Sequence, residues 1–290
     1  MLRPLLALLA CGLLSPLTLG EEVSGPFFAE GHDPLPEGKR WTPVAAMSDE
    51  FDGDEIDHDK WQSEPIGNGW GWIGRPPGLF RSENVRVADG KMNVTVSPLP
   101  EPQTIRGEEY RYQGAIVRSH AAGKPGMYFE TRMKANATAM SSTFWLMTKG
   151  HGAQRQELDI QECVGATSEL TDKWARKWNQ IFHSNLILTG RSVPEKVQIQ
   201  KQLTPPTPNH ERFYVYAGWW KSPHEVQFFF DGEYAYSLKP TVDWDLPKYL
   251  QMAIETYDWN PVPEGGELIA TGTWEQRTTQ YDWIRVWELE

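Results

Sequence analysis

Three carboxylates stand two and then three residues apart in Gln156-Glu157-Leu158-Asp159-Ile160-Gln161-Glu162-Cys163, with Leu158 and Ile160 set among them. Two carboxyls that face one groove can break an acetal: one attacks carbon while the other donates and then withdraws a proton. That chemistry requires Glu157, Asp159 and Glu162 to share a face. In a strand, Glu157 and Asp159 do so, while Leu158 and Ile160 take the opposite face. Unbroken alternation would then drive Glu162 inward, where a bare carboxylate costs several kcal/mol. A β-bulge at Ile160 or Gln161 returns Glu162 to the acidic side. In this arrangement Asp159 hydrogen-bonds and orients Glu157, and its charge keeps Glu162 protonated. By spacing alone, the same pattern also describes an acidic edge strand facing solvent.

The segments available to position these acids are short and strand-like. Alternating or β-branched runs recur at 84–87, 91–97, 115–119, 127–134, 143–147, 156–162, 182–187, 212–221, 225–230, 234–237, 249–254 and 282–288. Turn dipeptides such as Asp89-Gly90 and Asp231-Gly232 separate several of them, a hairpin signal. Helical periodicity is weak; Ser168 to Lys177 reads as a short helix or an irregular loop. Many short strands in one chain predict an all-β sandwich of two large sheets. Residues 21–40, rich in Gly and Pro, read as an N-terminal extension laid over the surface. Residues 194–210, with Pro194, Pro205, Pro206 and Pro208, read as a long loop.

Composition narrows the setting. Met1-Leu2-Arg3 followed by an apolar run to Leu14 is too short to span a bilayer and reads as a secretory signal peptide over residues 1–20. A lipoprotein box ending at Cys11 is the alternative, against which the apolar run continues past that cysteine. The mature chain keeps Cys163 alone, so it forms no internal disulfide, and its stability comes from the core. A net charge of -11 argues against nucleic acid or anionic membranes as partners. Fourteen tryptophans fit a secreted protein that stacks rings on sugars.

Glu157-Leu158-Asp159-Ile160-Gln161-Glu162 resembles the bulged active-site motif of glycoside hydrolase family 16. Further likenesses run in order through Ser48–Trp61, Asn84–Met92, Ser142–Leu146, Phe213–Trp220, Glu225–Gly232 and Tyr281–Val286, covering about residues 40–290. Trp70–Phe80, Phe182–Asn185 and Ile254–Trp259 look most like the β-agarase and β-porphyranase group. The resemblance implies a β-jelly roll of two antiparallel sheets (concanavalin A-like), with residues 41–290 as the catalytic domain and an open cleft on the concave face. It implies a retaining endo-hydrolase with Glu157 as nucleophile, Glu162 as acid/base and Asp159 assisting. It also implies that Trp145 floors the reacting-sugar subsite and that Trp72 is a second platform. Arg75, His183, Glu255 and Trp259 would then line the cleft. Each of these six also has an ordinary reading as core aromatic, surface ion pair or structural histidine.

The implied substrate is agarose, cut at its β-1,4 bonds by a monomer without a catalytic cofactor. Porphyran, κ-carrageenan and furcellaran are the alternatives, with Arg75, Lys149 and Arg155 as sulfate receivers; a non-catalytic lectin is a further one. Family members also suggest a structural calcium, which here maps to Glu50, Gly90 and Asp282, an oxygen-donor set.

Overall fold

The computed structural model describes residues 23–150 and 152–290. The expected leader and Cys11 lie outside the described residues. Two antiparallel sheets pack face to face as a jelly-roll sandwich. One sheet runs, edge to edge, through Val197–Leu203, Phe182–Thr189, Arg155–Val164, Ser141–Met147, Lys248–Ala253, Ile116–Gly123 and Trp61–Gln62. The other runs Glu233–Leu238, Glu225–Phe230, Tyr214–Ser222, Met127–Lys134, Thr278–Leu289, Lys91–Thr95 and Val85–Ala88, with Trp41–Pro43 also paired to Thr278–Leu289.

Alternation fixes which side chains enter the core. Phe144, Leu146, Leu158, Ile160, Leu250 and Met252 are buried between the sheets, each burial contributing about 1.5–3 kcal/mol before entropy is counted. Their strand neighbours point the other way, onto the outer face of the seven-stranded sheet. One cross-strand row there reads Gln62, Arg118, Gln251, Trp145, Asp159, Asn185 and Gln200, one residue from each strand.

The bulge falls at Ile160. Phe144 pairs with Gln161 and Trp145 with Asp159, so Ile160 has no partner in the ladder. Its side chain still reaches the core because the facing sheet offers a glycine: a Cβ on Gly218 would stand 3.0 Å from Ile160 Cγ1. The slip puts Glu162 opposite Thr143 on the outer face.

One expectation about the chain is corrected, and one left open between helix and irregular loop is decided for the loop. Residues 194–210 are not one long loop, since Val197–Leu203 forms the edge strand beside Phe182–Thr189. Ile199 and Leu203 pack on the core, and the Gln and Lys residues between them are exposed, which suits an edge that must resist further pairing. Between Ser168 and Lys177, regular structure is confined to a 3-10 turn at Lys173–Ala175.

A third, three-stranded sheet was not anticipated. It joins Gly78–Phe80, Glu108–Gly114 and Ser97–Ile105. Pro98, Pro100 and Pro102 hide the last of these, and the ladder is interrupted between Pro98 and Gln103, where prolines cannot donate. The N-terminal extension lies on the eight-stranded sheet, with Phe28 against Trp41, Tyr128 and Phe229. There the Phe27 amide and the Trp287 indole both donate to the buried Glu130 carboxylate, at 2.9 and 2.8 Å.

Candidate active site

The outer face of the seven-stranded sheet carries a cleft of about 520 Å³, within the range of carbohydrate-sized pockets. Glu157 and Glu162 both line it, as do Trp72, Arg75, Trp145 and Glu255. Trp145 forms the floor, with the Trp72 ring edge-on at 6.2 Å and Phe80 behind Trp72 at 4.8 Å. These aromatic edges lock the orientation of the indoles before any ligand arrives.

Glu162 is held from two sides. The Tyr257 hydroxyl donates to Oε1 at 3.2 Å, and His183 Nδ1 lies 3.5 Å from Oε2. The ring Nε2 of His183 lies 3.0 Å from the Gln200 amide oxygen. Nε2 faces an acceptor on the neighbouring strand, and Nδ1 faces Glu162. His183 is thus buried and engaged with the acid; it does not line the cleft where sugar hydroxyls were expected to meet it.

Glu157 projects beside Arg155, whose guanidinium lies 3.7 Å away. Burial first, and the charge of Glu162 second, push the Glu157 carboxyl up to about 7. Asp159 is fully buried and also shifted upward, by burial and then by Glu162 ahead of Glu157. Asp159 thus feels the charge of both glutamates that flank it in sequence. A row of three such acids cannot ionise completely at neutral pH, so a proton is retained among them.

Arg75 and Glu255, read separately as sugar ligands, are first partners of each other. Arg75 Nε donates to Glu255 at 2.8 Å, and its guanidinium lies over Tyr257 at 5.4 Å. Even so, burial holds the Glu255 carboxyl at about 7. Trp259 stands one layer behind the cleft wall, stacked on Tyr257 at 4.6 Å and packed on Trp178 at 4.7 Å. Tyr257, Met147 and Thr143 were missed as cleft residues. Strand alternation from Glu157 and Trp145 could have found Met147 and Thr143; Tyr257 lies beyond its strand and gave no such signal.

The buried acids make stability depend on pH in a definite direction. Glu130, Glu157 and Glu255 each titrate near 7 in the fold but near 4.5 when unfolded. Between those values the native state binds more protons than the unfolded one, so stability falls as pH rises. The melting temperature is expected to be highest near pH 5 and to drop by several degrees toward pH 7. A scan that instead rises steadily over this window contradicts the burial of these groups.

Glu50, Gly90 and Asp282 do surround one cavity on the opposite sheet. Both acids are already neutralised, Glu50 by a two-pronged contact from Arg285 and Asp282 by Arg132 at 2.5 Å. Among the described residues no group of three or more metal-ligating side chains occurs. The side chains of Glu50 and Asp282 are thus taken up by guanidinium groups, while the donors that the resemblance implied at Glu50 and Gly90 are backbone oxygens; no role is assigned to calcium.

The rest of the chain matches known proteins in a consistent way. Residues 41–289 match a family model described as Beta-porphyranase A-D, GH16 domain. Beta-porphyranase B of Zobellia galactanivorans is 40% identical over 287 residues, covering 96% of this chain and 94% of that protein. The crystal structure of porphyranase B from that organism superposes with a TM-score of 0.84 over 91% of this chain and 99% of that chain. Beta-agarase AgaB34 of Agarivorans albus is 23% identical over 240 residues, 75% of this chain and 50% of that protein.

Proposed function

Because the chain belongs to the GH16-domain family of β-porphyranases A to D, and so is a glycoside hydrolase, we propose that it is a secreted, retaining endo-hydrolase of porphyran-type sulfated galactans. Agarose, the substrate first suggested by the motifs, gives way: the β-porphyranase is 40% identical and the β-agarase 23%. Arg155 in the cleft and Lys149 beside Trp70 add the positive charge that a sulfated chain needs. Among the described residues no helix is long and apolar enough to cross a membrane.

One observation carries the mechanism: the bulge at Ile160 brings Glu157 and Glu162 to the same cleft above Trp145. A pyranose stacks on the Trp145 ring with its anomeric carbon toward Glu157. Glu157 attacks that carbon as the glycosidic C–O bond breaks, and Glu162 passes its proton to the departing oxygen. The sugar is now esterified to Glu157, and Glu162 is an anion steadied by the Tyr257 hydroxyl. Water enters the vacated side, loses a proton to Glu162 and displaces Glu157, restoring the starting configuration. The proton taken from water restores Glu162 to its starting state, so the cycle closes without a further proton donor.

Reducing-end release measured side by side on porphyran, agarose and κ-carrageenan tests the assignment. Porphyran is expected to be cut fastest by more than tenfold. Faster release from agarose would overturn the choice of substrate. No release from any of the three, with all three acids intact, would instead mark a lectin.

A further inference from the structure

The floor of the cleft is electrically lopsided. On the Trp145 side, three buried N–H groups find no acceptor among the described residues: Trp145 Nε1, Gln251 Nε2 and Arg118 Nη2. Across the catalytic strand the unmatched atoms include the carboxyl and carbonyl oxygens Asp159 Oδ2 and Asn185 Oδ1. The donor set does not depend on how the Gln251 amide is turned. Arg118 Nε donates to Gln251 Oε1 at 3.0 Å, and a guanidinium cannot accept, so the amide nitrogen must be the end left over.

Arg118 is 1% exposed, and among the described residues no carboxylate pairs with it. Burial alone lowers its proton affinity, to about 9. A buried cation without a counterion is costly unless something negative completes it. Its one cover is Trp70, whose ring lies 4.9 Å from the guanidinium carbon and which also lines the cleft. Trp70 sits between Gly69 and Gly71, both at positive φ, and the Lys149 ammonium approaches the same ring at 5.8 Å. The site is therefore a charged donor pair under a hinged aromatic cover, with a second cation at its rim.

We propose that Arg118 and Gln251, beneath Trp70, form a binding site for a sulfate ester carried by a sugar beyond the one that reacts. This rests on the reading of the substrate as a sulfated galactan. The ester oxygens take the Nη2 and Nε2 protons, Trp70 shifts onto the sugar face, and Lys149 closes the outer side. A neutral hydroxyl could use the two donors but would leave the guanidinium charge uncompensated, so the site discriminates between sulfated and unsulfated chains.

The test uses the full chain carrying Glu157→Gln, so that ligands bind without being cut. Calorimetry would compare porphyran oligosaccharides with the same oligosaccharides after chemical desulfation. Adding Arg118→Gln is expected to weaken the sulfated ligand about tenfold or more and the desulfated one less than about twofold. Gln251→Glu, which supplies the missing counterion inside the protein, is expected to do the same and serves if Arg118→Gln fails to fold. Equal losses on both ligands, or none, would overturn the site. If the Glu157→Gln protein itself does not prefer the sulfated ligand, the sulfated-galactan reading fails with it; if it does and the further substitutions change nothing, only the Arg118 site fails.

Discussion

Glu157→Gln should reduce turnover on the natural polysaccharide by on the order of 10⁴-fold or more, with the fold intact. The amide keeps the size of the side chain but cannot form the sugar ester. Because burial already raises the Glu157 carboxyl to about 7, exchanging it for a neutral group removes a strained charge, and the variant should melt no lower than the parent. Glu162→Gln should fail differently. Its loss deprives the leaving oxygen of a proton, so a substrate with an acidic leaving group should still esterify Glu157 and accumulate there. Mass spectrometry of the stalled protein reads this directly. Unchanged turnover in Glu157→Gln, or no trapped adduct in Glu162→Gln, would reject the division of labour.

Gly165→Ala should damage both stability and activity, although residue 165 touches no substrate. The catalytic strand ends at Val164, and Gly165 passes so close to a neighbouring loop that an added Cβ would lie 2.1 Å from the Asn136 carbonyl oxygen and 2.6 Å from the Thr138 nitrogen. Both obstacles are backbone. Asn136 cannot retreat, since its side chain bonds Ser141, Ser142 and Thr279 in the adjoining strands. The strand end must move instead, three residues from Glu162. A cost of about 2–3 kcal/mol is expected, read from the denaturation midpoint. Shifting the acid by even ~1 Å should also cost about 10²-fold in kcat/KM. A variant equal to the parent in both measurements would show that the close approach is relaxed in solution.

Much of this was legible in the sequence because strands write their two faces into alternate residues. Leu158 and Ile160 against Glu157 and Asp159 sufficed to demand a bulge, and the structure puts it at Ile160, one of the two residues considered. The Val197–Leu203 strand was hidden because an edge needs only half a hydrophobic pattern, and the three-stranded sheet because its prolines mimic a loop. Side-chain partnerships were the least visible layer. Nothing in local spacing links Arg75 to Glu255, 180 residues away, or turns His183 from the sugar toward Glu162. Such pairs depend on how loops and strands converge in space, and no local rule records that.

The row from Gln62 to Gln200 takes a single residue from each of seven strands, and many of the neighbours along those strands, Val117, Leu146, Leu158, Leu186 and Leu250 among them, face the core. Taste for a substrate and the ability to fold are thus written in interleaved but separate alphabets. A substitution at an outward position of this sheet can alter its outer face without disturbing a packed methyl group. A combinatorial library confined to outward positions other than Glu157, Asp159 and Glu162 should yield folded proteins at high frequency.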